Sequence, residues 1–425
     1  MVLVLDIINI VLAVALILCY SFQFIYIFIP FLKKMPPHKE TTPHKYAVLI
    51  SARNEENVIA NLIESLHAQD YPAELITIFL VADNCTDKTA EVGRENGAIV
   101  YERFNKQEIG KGYALNYLLG RIDEDFGPDA FDAFVVFDAD NIVTKTFFTE
   151  INKTFSDGYN VITTYRNAKN YNDNWLAAST GLWFIREAKY LNGSRFRIGA
   201  CPQVSGTGFL FSNEIKKQNG GWPFHTLCED YEFTCHSVVQ GMKFGYCEEA
   251  RFYDEQVTGF RQSWNQRMRW AKGGLQSFAI YWKKLLRGVF SKNFLACYDM
   301  LMSIAPGYII AILSVLVNLF ASAYYLIIGV PFVTVLLSVA KFVVPAYIGV
   351  WTLGFVCTIS EWKHLRTSNA KKILYSFTFP FFLFTFIPIA FCALFMKVEW
   401  KHIAHKSVSQ EDMSTMRESM DENIQ

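Results

Sequence analysis

The chain has 425 residues, of which 52% are hydrophobic, 16% aromatic and only 19% charged, so it is more apolar and less charged than an average soluble protein. Its 40 basic and 40 acidic residues cancel, which removes both the basic excess of a nucleic-acid binder and the acidic excess of a disordered chain. Nine cysteines without a CxxC pair form neither a disulfide framework nor a common zinc pattern, Cys228, Cys235, His236 and Cys247 included, and a reduced compartment is the simpler expectation.

In chain order, the first predicted element is an apolar run over 3–32, long enough for a bilayer and too long for a signal-peptide core. It ends at Lys33-Lys34, so residues 1–34 read as an anchor with its N-terminus outside and the following residues in the cytoplasm. Residues 45–257 have α/β texture. Strands are predicted at 46–52, 75–83, 98–102 and 131–140, and helices at 55–69, 86–97 and 110–122. Such alternation argues for a parallel sheet with its ligand beyond the carboxyl ends of the strands.

Residues 258–294 are aromatic and basic, as expected of amphipathic helices lying along an anionic membrane surface. Over 295–397 three apolar blocks follow, at 298–328, 331–358 and 373–396. Gly329-Val330-Pro331 makes the first two a hairpin. The third is either a span or, through Pro380 and Pro388, a broken or re-entrant segment. The tail, 398–425, is polar, and from Ser407 it reads as mobile.

The chemistry concentrates at the strand ends, which carry ISARNEE, VADNCTDKT and FDAD. Asp138 and Asp140 alternate where a strand stops, and their hard oxygens suit Mg2+ or Mn2+ carrying a diphosphate, although a turn acid pair has the same pattern. Arg53 and Lys111 can neutralise phosphates, and Gly110 and Gly112 beside Lys111 permit close backbone approach. Neither GxxxxGK[ST] nor GxGxxG occurs, which disfavours a P-loop hydrolase and a Rossmann dehydrogenase. In QRMRW, Gln266, Arg269 and Trp270 share a helical face while Arg267 and Met268 turn away, a set able to hold a diphosphate and stack on a sugar. In TLCEDYEF, 226–233, Thr226 and Glu229 stand at capping-box spacing, which assigns Glu229 to the helix end and leaves Asp230 free for chemistry.

The ordered set ARNEE, ADNCTDKT, GKGYALN, FDAD, SGTGFLF, CED and QRMRW resembles the membrane-embedded inverting glycosyltransferases of family 2, the group of cellulose, chitin, hyaluronan and poly-N-acetylglucosamine synthases. The resemblance covers about residues 46–275. It implies a GT-A-type α/β nucleotide-sugar-binding domain flanked by transmembrane helices in the plasma membrane, with the catalytic part cytoplasmic. It also implies a UDP-sugar donor, a glycan or lipid acceptor, contact with membrane lipids, no nucleic acid, and Mg2+ or Mn2+.

By the same resemblance, Asp230 is the general base beside Glu229. Asp83 contacts uracil, Asp138 and Asp140 hold the metal, and Arg53, Glu55, Lys111, Asp138, Gln266, Arg269 and Trp270 bind substrate. The sequence departs from the family at Ala82-Asp83, where paired acids are usual, at Cys228, where threonine is common, and at SGTGFLF, which replaces a cysteine-containing motif of cellulose synthases. The leading expectation is a processive polysaccharide synthase, with Trp175, Trp183, Trp222 and Trp264 available to stack sugars. A glycolipid synthase and a non-catalytic membrane subunit are the alternatives.

Overall fold

The computed structural model describes residues 2–304 and 306–399, so the predicted mobile tail lies outside the described residues. An eight-stranded sheet runs in the order β3-β2-β1-β4-β7-β6-β8-β5. Its strands are β1 (Tyr46–Ala52), β2 (Ile76–Asp83), β3 (Ile99–Arg103), β4 (Ala133–Asp138), β5 (Ile142–Val143), β6 (Val161–Ala168), β7 (Phe209–Ser212) and β8 (Phe244–Asp254). The half formed by β1 to β4 is parallel, as the alternation predicts. The expectation of a purely parallel sheet fails beyond it, because β7 inserts antiparallel between β4 and β6. Its direction is set by pairing with β4 and β6, strands that lie far from it in sequence.

Two membrane-proximal helices, α1 (Val2–Tyr26) and α2 (Ile29–Leu32), precede the sheet. Within the α/β region lie α3 (Ile59–His67), α4 (Thr89–Glu95), α5 (Lys111–Phe126), α6 (Phe147–Ser156), α7 (Trp175–Ile185), α8 (Gly193–Ile198), α9 (Asn213–Asn219) and α10 (Glu229–Val239). A π-helical turn, Arg186–Asn192, joins α7 to α8. Alternate residues of β1 feed opposite cores. Ala47 and Leu49 pack with α5 and α10, whereas Tyr46, Val48 and Ile50 pack with α3 and α6. The helix expected from residue 55 begins only at Ile59, because Asn54 takes a left-handed φ of 58° and the chain turns before it coils.

The C-terminal part contains α11 (Phe260–Val289), α12 (Phe294–Ile304), α13 (Pro306–Ile327), α14 (Phe332–Ser360), α15 (Asn369–Phe384) and α16 (Phe386–Phe395). The expected interfacial segment is one continuous 30-residue helix, α11. The apolar block predicted from 298 does not enter the membrane at once, since Ala296, Cys297, Met300 and Leu301 of α12 belong to the sheet's own core. Among the described residues four stretches are long and apolar enough to cross a membrane: Ile7–Leu32, Ile309–Ile327, Phe332–Ser360 and Asn369–Phe395.

The last stretch is interrupted at Thr385, where α15 passes into α16. Arg267 donates to the Phe382 carbonyl at 3.0 Å, and the Thr385 hydroxyl donates to the same carbonyl at 2.6 Å. The carbonyl that α15 frees is thereby satisfied.

Candidate active site

The strand ends meet because parallel strands β1, β2 and β4 all finish on one edge of the sheet. Their loops are tied together there. Glu55 N–H donates to Thr89 Oγ1 at 2.8 Å, Glu56 N–H to Asp87 at 3.1 Å, and Lys88 N–H to Glu56 at 2.9 Å. Beyond this edge opens a cavity of about 1040 Å3. Arg53, Glu55, Asp83, Lys111, Asp138, Asp140, Glu229, Asp230, Gln266, Arg269 and Trp270 all line it. The spacing in QRMRW also reads correctly. Arg267 and Met268 point away from the cavity, into the packing against α15 and α16.

Asp83 is buried and accepts from Arg103 Nη1 at 2.7 Å. Arg103 stands directly opposite it in the β2–β3 register and was not among the predicted site residues. A cation at the carboxyl end of the neighbouring strand was the available signal. Lys111 opens α5 and donates to Asp138 Oδ1 and, at 2.8 Å, to the Gly206 carbonyl. The role expected of Gly112 changes. A Cβ there would lie 1.9 Å from the Phe224 carbonyl oxygen, so this glycine admits the protein's own backbone and not a phosphate.

The SGTG stretch connects the parts. Thr207 Oγ1 accepts from Asp138 N–H at 2.9 Å, and Gly208 N–H donates to Val136 O at 2.8 Å. Gly208 has a φ of 63° and its missing Cβ is filled by the Phe252 ring, so no side chain fits there.

Asp138 is partly open to the cavity, with its Oδ1 already holding the Lys111 ammonium. Asp140 is buried, and its Oδ2 accepts from Glu255 N–H at 2.8 Å. Among the described residues no group of three or more His, Cys, Asp or Glu is arranged as a metal cage. Two carboxylates suffice for Mg2+ or Mn2+ when substrate phosphates complete the coordination, and the ammonium on Asp138 marks a place where positive charge is favoured. The residues present therefore fit a divalent cation that arrives with a diphosphate.

Glu229 and Asp230 are the first two residues of α10. The capping box expected between Thr226 and Glu229 does not form. Cys228 is the N-cap, without a side-chain cap hydrogen bond. The Thr226 hydroxyl donates to Cys228 O at 3.0 Å, and it is Glu232 that receives the His225 and Thr226 N–H groups, at 3.0 and 2.9 Å. The loop folds back one helical turn further than the local spacing suggests, because Glu232 reaches over the helix start. Burial pushes the Asp230 carboxyl above its ordinary value, against the pull of the Tyr231 N–H, Lys111 and Arg269. Burial raises Glu229 as well, helped by the Asp230 charge.

Of the four tryptophans expected to stack sugars, Trp183 lines the cavity. Trp222 is only 1% exposed, in an aromatic cluster with Phe209, Phe211 and Phe233 beneath the sheet, so it cannot meet a ligand. Trp175 and Trp264 pack elsewhere. Sequence reasoning also missed Arg166 and Asp254, both on the cavity wall and joined by Arg166 Nε donating to Asp254 Oδ2 at 2.9 Å. They lie 88 residues apart, and no local signal pairs them.

The cavity does not stop at the polar residues. It continues between Leu16, Ile17 and Phe24 of α1, Ile309 and Ile312 of α13, Val350 and Leu353 of α14, and Ile387 and Leu394 of α16.

A family model described as Glycosyltransferase like family 2 matches residues 43–273. The chain is 27% identical over 250 residues to the beta-monoglucosyldiacylglycerol synthase of Synechocystis sp., covering 57% of this chain and 50% of that protein. It is 24% identical over 256 residues to the probable glycosyltransferase YdaM of Bacillus subtilis, covering 58% and 59% respectively. The chain spans about half the length of the curated relatives it matches. A solved mannosyltransferase of Pyrobaculum calidifontis, in complex with GDP-Man and Mn2+, has a TM-score of 0.59 and 14% identity, covering 92% of this chain and 99% of that one. At that identity the likeness is one of fold.

Proposed function

The chain belongs to the glycosyltransferase-like family 2, with a GT-A-type α/β domain beside four helices able to span a membrane, and we propose that it transfers a single sugar from a UDP-sugar to a membrane lipid. The observation that carries this reading is the continuity of the cavity. Its polar end holds Asp83, Asp138 and Asp230, and its other end is walled by leucine, isoleucine, valine and phenylalanine side chains. A glycan in transit needs partners for its hydroxyls, and unpaired polar groups in such a shaft cost several kcal/mol each. Acyl chains are stabilised there by about 25 cal/mol per Å2 of apolar surface removed from water. The Synechocystis relative, a beta-monoglucosyldiacylglycerol synthase, points the same way, toward diacylglycerol as acceptor and glucose as sugar. It favours the glycolipid alternative over the processive synthase first expected from the motifs.

In this reading the acceptor hydroxyl attacks the anomeric carbon, the bond from that carbon to the diphosphate oxygen breaks, and Asp230 takes the hydroxyl proton. One displacement inverts the centre, so an α-linked donor yields a β-linked product. Lys111 and Arg269 bind the diphosphate and receive its growing charge. Asp83, oriented by Arg103, holds the base of the nucleotide, and Trp270 and Trp183 flank the sugar. Asp138 and Asp140 would hold a divalent cation, which would supply Lewis-acid neutralisation of the leaving group. The catalytic domain lies on the cytoplasmic side, where nucleotide sugars are made.

The test uses purified protein in lipid nanodiscs containing diacylglycerol, with radiolabelled UDP-glucose and UDP-N-acetylglucosamine. Label is expected in an organic-extractable monoglycosyl lipid, lost on EDTA treatment and restored by Mn2+ or Mg2+. Label in an aqueous polymer would overturn the lipid reading, and full activity after EDTA would remove the metal from it.

A further inference from the structure

One wall of the cavity is built by α7, the π-helical turn and α8, a stretch outside every motif singled out in the sequence. Trp183, Phe184, Arg186, Glu187, Leu191 and Arg195 line the cavity from it. A π-turn is rare and concentrates at functional sites, because the extra residue re-aims the side chains of one helical turn. Here Glu187, at its start, meets the turn Ser205-Gly206, which lines the cavity as well.

That turn lies beside the place the donor's sugar must occupy. The Gly206 carbonyl accepts from Lys111 at 2.8 Å, on the side assigned to the diphosphate. A Cβ on Gly206 would lie 3.4 Å from Asp230 Oδ2, on the side assigned to the attacking hydroxyl. In a single displacement the anomeric carbon stands between the leaving diphosphate and the attacking oxygen, so the sugar ring falls next to Ser205 and Gly206.

The arginines around Glu187 already have partners. Arg186 donates to Gln23 of α1, Arg195 holds Asp299 of α12 through two bonds of 2.8 Å, and Arg166 donates to Asp254 and, at 3.0 Å, to the Ser205 carbonyl. Glu187 is different. Ser205 Oγ donates to its Oε1, which leaves the lone pairs of Oε2 for a ligand. A carboxylate oxygen in that position calls for a hydroxyl donor. Diacylglycerol has none to spare, since its one hydroxyl gives its proton to Asp230. The hexose of the donor carries several hydroxyls that take no part in the transfer.

We propose that Glu187 reads the donor sugar: its carboxylate receives a hydrogen bond from a hydroxyl of the hexose in the UDP-sugar, and so helps select which hexose is transferred. The inference rests on the UDP-sugar reading above and is independent of the acceptor. Burial pushes the Glu187 carboxyl up to about 7, outweighing Arg166, Arg195 and Arg186 and helped by the Asp230 charge. The carboxyl accepts at both oxygens when ionised, so the assay is set about one pH unit above neutrality.

The experiment compares wild type, Glu187→Gln and Glu187→Ala in nanodiscs, using the UDP-hexose that wild type transfers and its monodeoxy analogues. In wild type, removing the hydroxyl that Glu187 holds is expected to lower kcat/KM about tenfold or more, the effect of losing a charge-assisted hydrogen bond. In Glu187→Ala that loss is already present with the parent donor, so the same analogue is expected to lose no more than about twofold further, with Glu187→Gln in between. UDP affinity, measured by calorimetry on the same samples, is expected to stay within about twofold, which also reports that the site is folded. Deoxy penalties that are the same in wild type and Glu187→Ala at every position overturn the assignment. So does an equal loss of UDP affinity in both variants, which would make Glu187 a prop for the turn. If wild type transfers no hexose from any UDP-sugar, the donor reading falls and Glu187 with it. If the product is a polymer, only the lipid reading falls, because the comparison varies the donor alone.

Discussion

Asp230 occupies the second position of α10, where the helix start and the cations Lys111 and Arg269 favour its charge while burial opposes it. The balance leaves its pKa above the ordinary 3.8, which suits a base that must take a proton near neutrality. Because the base works deprotonated, turnover is expected to fall as pH drops through this raised pKa, and a pH–rate profile at saturating donor places that limb above the ordinary carboxylate range. Asp230→Asn is expected to lose about 10^2 to 10^4 in kcat with UDP affinity kept. Glu229→Gln is expected to lose less, now for a different reason than capping. Glu229 lines the cavity against the start of α5, where its Cβ approaches Gly112 and its carboxyl feels the Lys111 charge, so the part assigned to it is to support Lys111. Equal losses in the two variants, measured in the same transfer assay, would sink this division.

At the scale of elements, α11 works on both faces. One presents Gln266, Arg269 and Trp270 to the cavity, and the other sends Arg267 into the break between α15 and α16, where its guanidinium also lies 4.5 Å from the Phe382 ring centroid. The helix assigned to the donor thus also positions the last membrane segment. Across the shaft, Gly349 of α14 lines the cavity, and a Cβ there would meet open space. Gly349→Phe is therefore expected to fill the shaft without displacing backbone. It should lower kcat/KM for long-chain diacylglycerol by about tenfold or more while a short-chain analogue and UDP affinity are much less affected. An equal effect on both acyl lengths would mean that the chains bind elsewhere.

At the scale of the whole molecule, buried polar ties bolt the α/β domain to the membrane helices. Arg195 pairs with Asp299, which also accepts from Tyr26 at the end of α1 at 2.9 Å. Glu361, just beyond α14, accepts from Tyr165 of β6 at 2.5 Å and from Lys189. In the apolar region Asn9 and Asn318 exchange amide hydrogen bonds of 3.2 and 3.0 Å between α1 and α13. Asp299→Asn leaves the Arg195 charge buried without its counter-ion, at an expected cost of about 3–5 kcal/mol. The check is a thermal melt in nanodiscs, where a Tm unchanged from wild type would show the tie to be dispensable.

Much of this was legible in the sequence. Short apolar runs alternating with helical segments marked the parallel strands, the acids after them marked the binding edge, and 100° spacing separated Arg269 and Trp270 from Arg267. These signals are local, because a strand end or a helix face is a property of a few neighbouring residues. Three other features needed the fold: the antiparallel β7, the pair Arg166 and Asp254, and the use of Glu232 over Glu229 at the α10 start. The first two depend on which distant segments touch and the third on how the loop before α10 closes, and a single sequence carries no record of either. The amino-acid sequence by itself determined that this is an α/β enzyme of the glycosyltransferase class with apolar spans on both flanks. Only the tertiary structure joined the polar edge of the sheet to an apolar shaft between α1, α13, α14 and α16. That continuity arises from the packing of four separate helices against one another.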